Sequence, residues 1–209
     1  SKVVNKPWGY EYVIFKIKKK IGITFLNINP KKETSLHAHS AKKTAFIILN
    51  GDAHVQIGLY KKNIFKTKTL SRQVFRKGLF HKLSNRSNKP IQALEFETPY
   101  DKLDLIRIKD KYGRKKKPYE NREKMYEKNG NFIEFNKPKK NHQNVYFFSN
   151  TAIILRYIST HKNLNLKDKN SSVALLEGKV LDNKNRSVIG VGEVVKTQTL
   201  KILMKNFKY

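Results

Sequence analysis

HAHSAKKTAFIILNG, residues 37–51, is the stretch whose reading decides the fold. Residues i and i+2 of a strand point to the same face, so His37 and His39 aim two imidazoles at one point. Ala45–Asn50 then reads as a buried strand that ends in the Asn50-Gly51 turn signal. A third histidine, His81, follows in RKGLFHKLSN, residues 76–85. A closed sheet can bring such separated strands side by side. Three neutral imidazoles then suit a divalent metal ion, with Zn, Fe, Mn and Ni all open on ligand type.

Working outward, residues 10–100 break into short strands: YEYVIF (10–15), GITFLNIN (22–29), AFIILNG (45–51), AHVQIGLY (53–60), IFKTKTL (64–70), SRQVFR (71–76) and IQALEFE (91–97). β-branched and aromatic residues dominate, several segments alternate apolar with polar, and turn signals separate them. Spacing of this kind predicts an all-β sandwich or barrel. Residues 108–143 are charged and poor in aliphatics, and read as a basic linker with one short helix around Asn121–Lys128. Residues 144–209 return to strand-like segments, TLKILMKNF among them. Aligning Ala45–Gly51 with Ser172–Gly178 puts Leu164 and Leu166 where His37 and His39 stand, and Ser171 where Thr44 stands. The expected organisation is a metal-bearing barrel over 1–107, the linker, and a second, degenerate β domain over 144–209.

The two histidine segments resemble the paired motifs of the cupin superfamily, a jelly-roll-like β-barrel. The first motif is matched by His37, His39 and the closing Gly51, the second by Gly78, His81 and Asn85. Three positions depart from it. Lys31 stands at the opening glycine, Arg76 at a proline, and Thr44 at the glutamate that commonly gives a fourth ligand. On this resemblance the chain is a bicupin with a degenerate second barrel, and its site is a neutral three-His one.

A closer resemblance is to the cupin domain of type II mannose-6-phosphate isomerases, over about residues 5–114. It rests on the K-P-W-G start, Lys6-Pro7-Trp8-Gly9, and on a D-L-I-R-x-x-D-x-Y-G-R tail from Asp104 to Arg114. The resemblance implies an isomerase- or epimerase-like protein acting on a sugar phosphate or nucleotide sugar in polysaccharide-related metabolism. Arg107 would grip a phosphate and Trp8 would stack on a sugar ring. The base is unassigned, with His54 and Glu95 as weak catalytic candidates. Two alternatives stay open: a three-His iron-dependent oxygenase or lyase, which Thr44 favours, and a non-catalytic binding or regulatory bicupin, which the ligand-poor second half supports.

The net charge of +29 comes mostly from lysines spread along the whole chain. Nucleic-acid binders concentrate basic and aromatic residues on one face or use arginine forks. The expected partner is therefore an anionic small molecule, with nucleic acid not expected, and a homodimer is the default assembly. No cysteine is present, which excludes disulfides and thiolate metal sites. No apolar run approaches the roughly 18 residues of a membrane span. The chain is read as cytoplasmic, with no membrane partner.

Overall fold

The computed structural model describes residues 2–116, 125–127, 132–164 and 171–209. Eleven strands run through the first half: β1 Lys2–Lys6, β2 Gly9–Ile17, β3 Ile21–Ile28, β4 Leu36–Ala38, β5 Lys43–Asn50, β6 Ala53–Ile57, β7 Ile64–Thr67, β8 Arg72–Phe75, β9 His81–Ser84, β10 Ile91–Thr98 and β11 Ile106–Lys109. With β12, Met125–Glu127, they form a seven-stranded sheet ordered β12-β1-β2-β3-β10-β5-β8 and a five-stranded sheet ordered β11-β4-β9-β6-β7. The two sheets face each other as the walls of the expected barrel. Leu26, Ile28, Phe46, Ile48, Val55, Phe75 and their neighbours pack between them.

The larger sheet is buried on both faces. All eight residues of β3 are buried, where a sheet with one wet face would alternate. Its inward side chains fill the barrel. Its outward ones, including Ile21, Ile23, Phe25, Leu94 and Phe96, pack against Phe135, Phe148, Leu155 and Val194. Thr151 Oγ1 donates to Leu49 O at 2.8 Å, and Phe135 N donates to Ile14 O at 2.9 Å.

The second half consists of three two-stranded ribbons: β13 Gln143–Phe148 with β14 Thr151–Arg156, β15 Ser172–Ala174 with β18 Val194–Lys196, and β16 Val180–Leu181 with β17 Ser187–Ile189. They are compatible with fragments of a barrel wall, and the described residues do not close a second barrel. Leu164 is buried in a small core of its own, and Leu166 lies outside the described residues.

Three expectations are corrected. TLKILMKNF is not a strand: Thr197–Asn206 forms a helix, α1, with Thr197, Leu200 and Met204 on its buried side. That i, i+3, i+7 spacing is a helical stripe. Of the helix expected over Asn121–Lys128, Met125–Glu127 is instead the strand β12, paired with β1, and the flanking residues lie outside the described ones. The barrel also runs past residue 107, since β11 extends to Lys109.

Candidate metal centre

β4 lies between β9 and β11 in the smaller sheet. That pairing sets His37 directly opposite His81 on one side and Arg107 on the other. His39 follows two residues on, and its carbonyl accepts from Gly78 N at 2.7 Å, tying the two motifs together. Gly78 is in the left-handed region, φ 74°, where a side chain would be strained. Asn85 is a brace: its Nδ2 donates to Ile28 O, Asn29 O and Lys89 O at 2.8–3.1 Å.

The three rings meet with centroids 4.6 Å (37–81), 5.1 Å (37–39) and 5.3 Å (39–81) apart. Phe75 stacks on His81 at 4.3 Å. A fourth group joins them from the larger sheet. One ligand atom from each of His37, His39, His81 and Glu95 lies within 4.8 Å of all the others, and all four residues are buried. The sequence offered Glu95 only as a weak catalytic candidate and predicted a neutral three-His site. The structure brings a carboxylate in from β10 while Thr44, at the expected carboxylate position, sits opposite Glu97 on the adjoining strand.

The cluster fits a divalent metal on its own chemistry. Each Nδ1 is held by a backbone carbonyl: His37 by Ser35 O at 2.8 Å, His39 by Asp104 O at 2.6 Å, His81 by Leu79 O at 3.0 Å. A carbonyl only accepts, so the proton sits on Nδ1 and the Nε2 lone pair is left for a ligand, which is the outer-shell arrangement of metal histidines. Nε2 of His39 and of His81 is buried with no hydrogen-bond partner among the described residues. Burial pushes all three histidines down: His37 well below its ordinary value, aided by His81 and His39, His39 to about 4, aided by Lys42, and His81 to about 3, aided by His39. Neutral imidazole is the ligating form.

Beside the histidines lies a buried charge network. Glu97 accepts from Lys42 Nζ and Lys102 Nζ, both at 2.6 Å. Lys102 also stands 3.8 Å from Glu95 and from Glu11. Burial works to raise Glu97, but Lys102 and Lys42 outweigh it and hold the group down as a carboxylate. Burial, with Glu97 next to it, pushes Glu95 up. A cation seated on Glu95 would favour its ionised form.

The cluster opens into a cavity of about 60 Å³ whose wall includes Trp8, Lys42, Lys102, Arg107 and Arg114. Arg107 therefore reaches the cavity, and Trp8 is buried in the barrel core at its edge. Arg114 belongs to the tail motif. It binds Asp110 Oδ1 at 2.7 Å and lies over the Tyr112 ring at 5.2 Å, so Asp110, Tyr112 and Arg114 make one folded unit. His54 is not brought to the site. Its neighbours Ala53 and Val55 point into the barrel, so His54 faces outward.

Asp104 fastens the loop after the histidines. Its carboxylate accepts from Ser40 N, Ser40 Oγ, Ala41 N and Lys42 N at 2.7–2.9 Å. Burial opposes ionisation, but the bonds from Ser40, Ala41 and Lys42 outweigh it and draw the pKa down to about 2. A depressed folded pKa contributes stability above the unfolded value of about 3.9, lost as pH falls toward 2. Asp104→Asn is expected to cost about 1 kcal/mol at neutral pH. It also flattens the acid limb between about pH 4 and 2, read by urea unfolding across pH.

A two-sheet barrel with histidines from two strand motifs converging inside it defines a cupin. Residues 1–110 match the family model described as mannose-6-phosphate isomerase C-terminal, and the chain belongs to that family. No curated protein matches the sequence. Among solved structures, one similar to it is a conserved protein with a double-stranded β-helix domain from Klebsiella pneumoniae. The two are 16% identical over 43% of this chain and 75% of that one, TM-score 0.39. Another is a cupin-superfamily sugar phosphate isomerase from Silicibacter pomeroyi, 15% identical over 39% of this chain and 52% of that one, TM-score 0.36. A third is an oxalate decarboxylase from Lactobacillus farciminis, 19% identical over 51% of this chain and 33% of that one, TM-score 0.45. The chain spans about half the length of the Silicibacter protein. No helix among the described residues is long and apolar enough to cross a membrane.

Proposed function

We propose that this cupin holds a divalent metal on His37, His39, His81 and Glu95 and acts on an anionic sugar, as a sugar-phosphate or nucleotide-sugar isomerase or epimerase. The observation that carries the reading is the convergence of three carbonyl-locked imidazoles with a buried carboxylate. Aldose–ketose isomerisation moves a proton between adjacent carbons through an enediolate, and a bound divalent cation supplies charge stabilisation for that oxyanion. The chain's own residues do the rest. Lys42 and Lys102 keep Glu97 ionised, and Arg107 and Arg114 add positive charge to the same wall. With a dication present that wall favours an anionic ligand. Ligand pockets for small molecules run to several hundred Å³, against about 60 Å³ here. Glu95, which turns a three-His site into a three-His, one-carboxylate site, weighs against the three-His oxygenase alternative.

The test combines metal analysis of the purified chain with proton exchange into mannose 6-phosphate in deuterated water, in wild type and Glu95→Gln. The expected result is about one metal per chain with exchange at the carbon next to the carbonyl. In the variant, metal affinity falls at least tenfold, as expected when a ligand is removed. A metal-free wild type would refute the reading. Full metal content in Glu95→Gln with exchange lost would reassign Glu95 as the base, and iron with oxygen uptake would favour the oxygenase. A cytoplasmic homodimer belongs to the same proposal and is checked by light scattering and fractionation.

A further inference from the structure

The ribbon β13–β14 has two apolar faces. Tyr146, Phe148, Ile153 and Leu155 pack toward the barrel sheet. On the opposite face Val145 pairs with Ile154 and Phe147 with Ala152, two adjacent cross-strand pairs that form one patch. Val145 is 41% exposed, Phe147 69% and Ile154 49%, and Tyr157 beyond the strand end is 46% exposed. A wet sheet face carries polar residues, and a contiguous exposed apolar patch marks an interaction surface.

The segment that carries the patch is basic, with Glu177, brought in from outside it, paired to Lys137. No Asp or Glu occurs between Phe135 and Leu164. Lys139 and Lys140 are exposed and lead into β13. Arg156 continues the outward face of β14 and donates to Asn163 O at 2.8 Å, which brings the exposed Lys162 alongside. Lys137 is neutralised by Glu177 at 2.9 Å.

We propose that this face of the ribbon docks on an anionic lipid surface. An apolar patch flanked by the exposed Lys139, Lys140, Arg156 and Lys162 suits a partner that offers both hydrocarbon and negative charge. A bilayer with acidic headgroups offers both, taking Phe147 and its neighbours at the acyl boundary and the Lys and Arg side chains at the phosphates. A second copy would bring the same cations against these, on chains each carrying +29. Nucleic acid would need a row of stacking rings, whereas here Phe147 and Tyr157 stand among the aliphatic Val145, Ala152 and Ile154. The inference revises the expectation that no membrane is involved, which rested on the absence of a spanning segment, and it is independent of the metal centre.

The test is cosedimentation of the full chain with phosphatidylcholine vesicles with and without admixed phosphatidylglycerol, at low and high salt. Binding is expected only with phosphatidylglycerol, weakening as salt screens the charges. The double variant Phe147→Ser, Ile154→Ser loses tenfold or more of that binding, and Lys139→Glu, Lys140→Glu loses most of its salt dependence. All four side chains are at the surface, so both variants should melt like wild type. No binding, equal binding to neutral vesicles, or binding unaltered by Phe147→Ser, Ile154→Ser overturns the proposal. So does competition by oligothymidylate that the serine variant abolishes, which reassigns the face to nucleic acid. Self-association lost in the serine variant reassigns it to a dimer interface.

Discussion

The double variant His37→Ala, His39→Ala is expected to purify without metal while its barrel stays folded. His37 on β4 and His39 just past its end are the pre-set pair of the proposed ligand set, and their removal leaves only His81 and Glu95, which come from different sheets. Two ligands without the pre-set pair do not compete with water for a divalent ion, so the expected change is from about one metal per chain to background. The fold should tolerate the loss, because the apolar side chains of the three core clusters are left unchanged. The variant also removes a buried, unpartnered Nε2 at His39, which costs stability in the metal-free protein. A ligand that binds only the native state stabilises it by mass action. A chelator should therefore lower the melting temperature of wild type and leave that of the variant unchanged. Undiminished metal content in the variant would refute the site.

The histidines were legible because their signal is local: His37 and His39 on one strand, then Gly78, His81 and Asn85 in one turn-and-strand segment. Glu95 was legible only as a weak candidate base and not as a member of the metal cluster, and the reason lies in IQALEFET. Period-2 reading sends the apolar Leu94 and Phe96 inward and the two glutamates out. In the structure Ile91 and Ala93 fill the barrel, and Leu94 and Phe96 lie on the opposite face. Glu95 and Glu97 thus follow Ala93 inward. The rule failed because it assumes one wet face, and the central strands β3 and β10 have none. The same covering explains why residues 132–137 looked like linker: Phe132, Ile133 and Phe135 pack on the sheet, and no period announces three residues of irregular chain. In α1 a signal did exist. Leu200, Leu203 and Met204 sit three and four apart, but the short run of aliphatics was taken for a strand.

Removal of residues 132–209 is expected to leave the barrel unable to stand alone in solution, although the cupin motifs and all four candidate metal-centre residues lie within 31–95. The cut would strip the outward face of the larger sheet, exposing Tyr12, Ile14, Ile23, Phe25, Leu94 and Phe96 together. Each large apolar side chain taken back into water costs about 1.5–3 kcal/mol. Six at once are comparable to the whole 5–15 kcal/mol by which a domain is typically stable. The fragment should therefore collect in the insoluble fraction or as large aggregates by light scattering. A graded version keeps the chain whole. Phe148 is buried and stacks on Phe25 at 5.5 Å, so Phe148→Ala should cost about 3–5 kcal/mol in urea unfolding. Because this packing belongs to the outward face and the histidines to the interior, the folded fraction of Phe148→Ala should keep its metal. A soluble, monomeric, metal-bearing fragment would mean that the two halves fold as separate units and that the shared core contributes little.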